Sequence, residues 1–161
     1  MDGATPPPGP PPADPPVVPG SGEGPLFSPG PVPRGLDHLI GTEIIEAGPR
    51  RVHLRLALGP QHLQPFGVVH GGVHATLAET AASIAACLNA KRAAVGIANH
   101  TSFLRAVRDG VLDAVATPLH TGRAVQLWEV AIRQDTALVA TARVQLYVLP
   151  SGGLPGSARA R

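Results

Sequence analysis

Apolar and polar positions alternate without a break over residues 51–58, with Val52, Leu54, Leu56 and Leu58 on one side and Arg51, His53, Arg55 and Ala57 on the other. Period two over that length marks a strand with one buried face. The preceding run, residues 39–46, carries Ile40, Ile44 and Ile45 and stops at the turn signal Gly48-Pro49, so the two runs are expected to form a hairpin. Residues 59–70 hold Pro60 and Pro65 and no period; a loop that long in a small domain is either functional or without fixed structure. From Gly71 to Ala90 alanine and leucine dominate, glycine stands only at the start, and Asn89, Lys91 and Arg92 supply stop signals. This predicts a helix of roughly 18 residues, apolar nearly all round and therefore buried on most faces.

Four further strands are expected at residues 94–103, 111–117, 124–133 and 138–148, the last alternating cleanly from Leu138 to Val148. The short connections at 119–123 and 134–137 favour antiparallel neighbours. The order β-β-α-β-β-β-β gives an α+β fold, one antiparallel sheet of six strands packed on a long helix. Such a sheet keeps a free edge and an uncovered face, which dimerisation would close.

Composition redraws the start of the chain. Of the 19 prolines among 161 residues, 13 lie between Pro6 and Pro33, a stretch with almost no apolar run. So little apolar surface cannot offset the entropy of ordering, so residues 1–34 are expected to be a disordered tail, partly polyproline II. Residues 35–150 then form one domain and 151–161 a flexible C-terminal tail. A domain of that size has a real core but little spare wall, so an enclosed site would borrow from a second subunit.

The net charge is +2, and setting aside Asp2, Asp14, Glu23 and Arg34 of the tail leaves 12 positive and 8 negative groups. That bias suits a small polyanion. It argues against nucleic acid, because no basic cluster with interleaved aromatics occurs and Trp128 and Tyr147 are too few for a stacking platform. The only cysteine, Cys87, excludes an intramolecular disulfide and a Cys-rich zinc site. No basic-then-apolar leader and no apolar run of membrane-spanning length is seen, so a cytoplasmic protein without a membrane partner is expected.

Glu79 is the only charged residue between Gly71 and Ala90. Either it lies on a narrow polar stripe with Thr76, Thr80 and Ser83, or it is a carboxylate kept among apolar side chains as nucleophile or general base. Ser83, four residues on, shares its face. His70-Gly71-Gly72 stands where loop becomes helix, and the unpaired first-turn N–H groups there can hold an oxyanion. His70, His74 and Glu79 also invite a metal reading, but the glycines put His70 before the helix and the spacing is not that of a zinc protease. Arg105, Arg108, Lys91-Arg92 and the segment His120-Thr121-Gly122-Arg123 offer cations and amides for phosphates. Cys87 reads as packing.

Gln64-Pro65-Phe66-Gly67-Val68-Val69-His70-Gly71-Gly72, Leu77-Ala78-Glu79-Thr80, Asn99-His100 and Pro118-Leu119-His120-Thr121-Gly122-Arg123, in that order, resemble the hotdog-fold acyl-CoA thioesterases. The branch is the one with a helix glutamate, which includes the 4-hydroxybenzoyl-CoA, phenylacetic-acid-pathway and 1,4-dihydroxy-2-naphthoyl-CoA thioesterases. The resemblance implies a hotdog dimer, commonly paired into a homotetramer, with active sites at the subunit interface. It implies that Glu79 attacks the thioester or activates water, that the Gly71 N–H binds the carbonyl oxygen, and that His70 shapes the turn and contacts the thioester. Gln64 would orient substrate or water, Ser83 would assist Glu79, and His100 would line the acyl pocket. Glu79 would come from the subunit opposite to Gln64 and Gly71. Arg105, Thr121, Gly122 and Arg123 would contact the phosphates of coenzyme A, which arrives with the substrate; no metal and no other cofactor is implied. His74 departs from the pattern, standing where a small residue is more usual. The Gln64 and Asn99-His100 segments look closest to the dihydroxynaphthoyl-CoA enzyme of menaquinone biosynthesis. Phenylacetyl-type or medium-chain hydrolysis, and an acyl-CoA sensor that does not cleave, are the alternatives.

Overall fold

The computed structural model describes residues 27–150; the expected C-terminal tail and residues 1–26 of the expected N-terminal tail lie outside them. The elements are β1 (Gly30–Pro31), α1 (Gly35–Ile40), β2 (Glu43–Ala47), β3 (Val52–Ala57), α2 (Gly71–Ala90), β4 (Ala94–Phe103), β5 (Val111–Thr121), β6 (Val125–Gln134) and β7 (Ala137–Val148), with a single 3-10 turn at Pro60–His62. All pairings are antiparallel, and the sheet runs β1-β2-β3-β5-β6-β7-β4. It wraps α2, as the hotdog arrangement requires.

The alternation of β3 is realised as read: Val52, Leu54 and Leu56 are buried against α2, while His53 and Arg55 face outward onto Asp113 of β5. Leu77, Ala78, Ala81, Ala82, Ile84, Ala85 and Ala86 form the buried surface of α2, and Trp128, Leu112, Ile132 and Leu146 meet it from the sheet. The small alanines let the strands approach the helix closely. A polar chain fixes its far end: Trp128 Nε1 donates to Gln126 Oε1 (3.0 Å), Gln126 Nε2 to Asn89 Oδ1 (3.1 Å), and Asn89 Nδ2 to the Pro49 carbonyl (2.9 Å).

Three expectations change. Residues 27–34, expected in the tail, belong to the fold: Phe27 and Val32 pack on the core and Gly30–Pro31 pairs with β2 as a seventh strand. Proline is tolerated there because an edge strand does not need every N–H. The strand expected at 39–46 begins later. Residues up to Ile40 belong to α1, which ends where Gly41 turns left-handed (φ 78°) and donates to the His38 carbonyl at 3.1 Å. Finally, β5 runs past Pro118 to Thr121 through a register shift between Pro118 and His120, which shortens the expected connection.

The loop at 59–70 is built rather than loose. Buried His62 accepts from the Gly59 N–H (2.8 Å) and meets the Ile40 carbonyl through Nε2 (2.8 Å), tying the loop to α1. Arg108 Nη1 donates to the Gly67 carbonyl at 3.0 Å, and Leu63 bridges to Val69. Among the described residues no helix is long and apolar enough to cross a membrane.

Candidate active site

Two cavities open along α2. The first, about 400 Å³, is lined by Glu79 and Thr80 with Ala75 and Thr76 of the same helix, Leu36 and Asp37 of α1, and Asn99 of β4. Glu79 is held from two sides. Asn99 Nδ2 donates to its Oε2 at 3.1 Å and to the Ala75 carbonyl at 3.0 Å, and Thr101 Oγ1 donates to Asn99 Oδ1 at 2.7 Å, which fixes the way the amide faces. On the other side Oε1 rests on Gly96, where a Cβ would overlap it. Nearby, Thr80 Oγ1 donates to Asp37 Oδ2 at 3.0 Å; burial pushes the Asp37 carboxyl up, partly offset by this hydrogen bond.

The second cavity, about 460 Å³, lies at the start of α2 and includes Gln64, Gly71, His74, Phe103, Arg105 and Val107. His70 caps the helix: its Nδ1 accepts from the Gly72 N–H at 2.9 Å. That leaves the Gly71 N–H in the first turn with no carbonyl of its own helix to bond. A Cβ on Gly71 would stand 2.7 Å from the Phe103 ring, so glycine is what lets that ring lie over the turn. His74 is buried beneath, its ring 5.6 Å from that of Phe103, and desolvation lowers its pKa.

The protomer therefore separates the expected catalytic set. Gln64, Gly71 and the capping His70 gather at the helix start, while Glu79 opens into the other cavity. Eight residues of helix, about 12 Å, lie between Gly71 and Glu79. Ser83 makes no hydrogen bond to Glu79 among the described residues; the donor is Asn99. His100 does not line either cavity. Strand alternation turns Asn99 and Thr101 flank by flank with α2, and His100 is exposed beside Arg143 of β7. The expected phosphate contacts also divide. Arg105 belongs to the second cavity, whereas Thr121, Gly122 and Arg123 form the β5–β6 turn, where Arg92 Nη2 donates to the Arg123 carbonyl at the far end of α2. About 30 Å of helix separates the two groups.

Gly96 and Phe103 had signals that sequence reading passed over. A lone glycine inside a strand marks a close approach, and an aromatic residue ending a strand beside a glycine-rich turn marks a cover. Burial pushes the Cys87 thiol up, and its sulfur accepts from the Ala94 N–H at 3.3 Å, in keeping with packing. No group of three or more His, Cys, Asp or Glu that could hold a metal ion occurs among the described residues.

Residues 66–141 match the family model described as the thioesterase superfamily. A Mycobacterium tuberculosis protein named as a candidate esterase is 40% identical over 119 residues, covering 70% of this chain and 85% of its own. Its solved structure superposes with a TM-score of 0.71 over 73% of this chain and 98% of that one, at 38% identity. A thioesterase structure from Haemophilus influenzae gives a TM-score of 0.65 at 36% identity, over 68% and 79% of the two chains. The 1,4-dihydroxy-2-naphthoyl-CoA hydrolase of Listeria monocytogenes is 34% identical over 104 residues, covering 63% of this chain and 85% of that enzyme. Sequence and fold agree, and the chain belongs to the thioesterase superfamily as a thioester hydrolase of the hotdog fold.

Proposed function

We propose that the protein hydrolyses an acyl-CoA thioester to the free acid and coenzyme A, with an aromatic acyl group, 1,4-dihydroxy-2-naphthoyl first among them. The observation that carries this reading is the fixed Glu79 carboxylate, gripped by Asn99 and seated on Gly96 in an open cavity. The similarity to the Listeria hydrolase supports the acyl group and, with it, a place in menaquinone biosynthesis.

The working site is shared by two copies. A two-fold axis passing near Ala75, midway between Gly71 and Glu79, sets the helices antiparallel and brings the partner subunit's Glu79 opposite Gly71. The outer edge of β4, unpaired among the described residues, offers the contact, and pairs of such dimers would give the tetramer. The carbonyl oxygen accepts from the Gly71 N–H, Gln64 orients the substrate, and Glu79 either attacks the carbonyl carbon or takes the proton of the attacking water. Coenzyme A leaves as the thiolate and takes up a proton. Where Glu79 is the nucleophile, water then cleaves the acyl–Glu79 anhydride; where it is the base, the water it activates forms the acid directly, so one water is consumed per thioester on either route. No cofactor enters these steps.

Glu79→Gln keeps the size and removes the charge. Thiol release should fall at least about 100-fold while the thioester still binds. Turnover close to the parent would overturn the mechanism. A screen across aromatic, phenylacetyl and medium-chain acyl-CoAs reads the acyl preference directly.

A further inference from the structure

His74 is only 3% exposed, and neither of its ring nitrogens has a hydrogen-bond partner among the described residues. The His70 backbone offsets part of the fall in its pKa without supplying either ring nitrogen with a hydrogen bond. A buried imidazole left in this state destabilises the fold, so an apolar residue would be preferred at this position if packing alone mattered. The ring borders the second cavity together with Gly71 and Gln64. Phe103 covers it: its ring packs on both His74 and Gly71, yet it is 58% exposed, at the cavity mouth.

We infer that His74 is a specificity-determining residue, whose imidazole pairs with a hydroxyl on the acyl group once the Phe103 ring swings aside. The inference rests on the proposed hydrolysis and goes beyond it by naming the recognised group. A neutral imidazole offers one N–H and one lone pair. A hydroxyl is the smallest neutral group that answers either of them, accepting from the N–H or donating to the bare nitrogen. An ionised acyl substituent fits less well, because burial disfavours charge on the ring that would pair with it. Apart from Arg105, expected at the coenzyme A phosphates, the rest of the lining (Val68, Val69, Leu104, Ala106 and Val107) is apolar, and Phe103 provides an aromatic face, which together suit a hydroxylated aryl group.

The test compares kcat/KM for benzoyl-CoA with those for 2-, 3- and 4-hydroxybenzoyl-CoA in the parent, His74→Leu and His74→Gln. At least one hydroxylated substrate should exceed benzoyl-CoA about tenfold or more in the parent. His74→Leu should abolish that ratio with benzoyl-CoA turnover retained and the melting temperature equal or higher. His74→Gln, which keeps a donor and an acceptor, should retain part of it. No preference for any hydroxylated substrate in the parent, or an equal loss on all four in His74→Leu, overturns the inference and assigns the ring to packing or to an ordered water. Should none of the thioesters be cleaved, the hydrolysis reading fails by itself, and calorimetric dissociation constants for the same four thioesters report the same ratio.

Discussion

Gly96→Ala is the sharpest probe of how Glu79 is held. The backbone at Gly96 is not in the left-handed region, so alanine fits the chain itself. The new methyl group would overlap Glu79 Oε1 and stand 2.8 Å from Cδ, so the carboxylate has to withdraw. A withdrawal of roughly 1 Å takes it out of reach of the Asn99 amide, now 3.1 Å away. The fold should hardly notice. Glu79 is partly exposed and ends a flexible side chain, one hydrogen bond is lost, and alanine in place of strand glycine returns about 0.5–1 kcal/mol. A displacement of about 1 Å in a reacting group costs on the order of 100-fold in rate, about 2.7 kcal/mol. The expected result is a kcat for thiol release lowered about 100-fold with the melting temperature within a few degrees of the parent. A kcat within threefold of the parent would show that the seat on Gly96 is irrelevant. A large drop in melting temperature would refute the claim that the strain is absorbed by Glu79 alone.

Asn99→Asp replaces a donor by a second carboxylate beside Glu79; like charges resist joint ionisation, so the rising limb of the kcat/KM–pH profile should move to higher pH, and an unmoved limb would remove Asn99 from the site. Asp37 has its carboxyl raised above 3.8 by burial, so the folded state binds its proton more tightly than the unfolded chain, and this contribution to stability is present in acid and lost as pH rises through the raised value. Asp37→Asn should therefore be at least as stable as the parent near pH 7 and show a flatter melting temperature between about pH 4 and 7; a destabilised variant at neutral pH would contradict this. Glu79→Gln and Gln64→Ala, each inactive alone, should regain about one quarter of parental activity when unfolded and refolded together in equal amounts, because half of the dimers are mixed and each of these holds one intact site. No regain would mean that each chain carries its own complete site.

Much of the architecture was legible because it rests on period. Val52, Leu54 and Leu56 could only be a half-buried strand, and the stretch up to Ala90, rich in alanine after two opening glycines, could only be a helix. What escaped was short or depended on distant partners. Six residues of α1 between Gly35 and Gly41 show no helical period, and Gly30–Pro31 becomes a strand only because β2 lies beside it. In the site, Glu79 announced itself as a lone charge, whereas its partner did not. Nothing within β4 says that Asn99 rather than His100 faces α2; that is decided by the register against β7 and the shift between Gly96 and Ala98. The same is true of His74, whose cost to the fold is visible only once its surroundings are known to be apolar.

The two-residue strand at Gly30–Pro31 has a bearing on how far copies of this chain can associate. A sheet with two bare edges invites addition at either end, and copies joined front to back form an open-ended chain. Here one border is finished by a strand too short to template another, with a proline that has no N–H to offer. Among the described residues the other border, β4, is the one left open, and there the two-fold pairing proposed above joins like to like. A pair of residues at one rim of the sheet thus leaves that proposed pairing without a second open edge through which the sheet could go on growing.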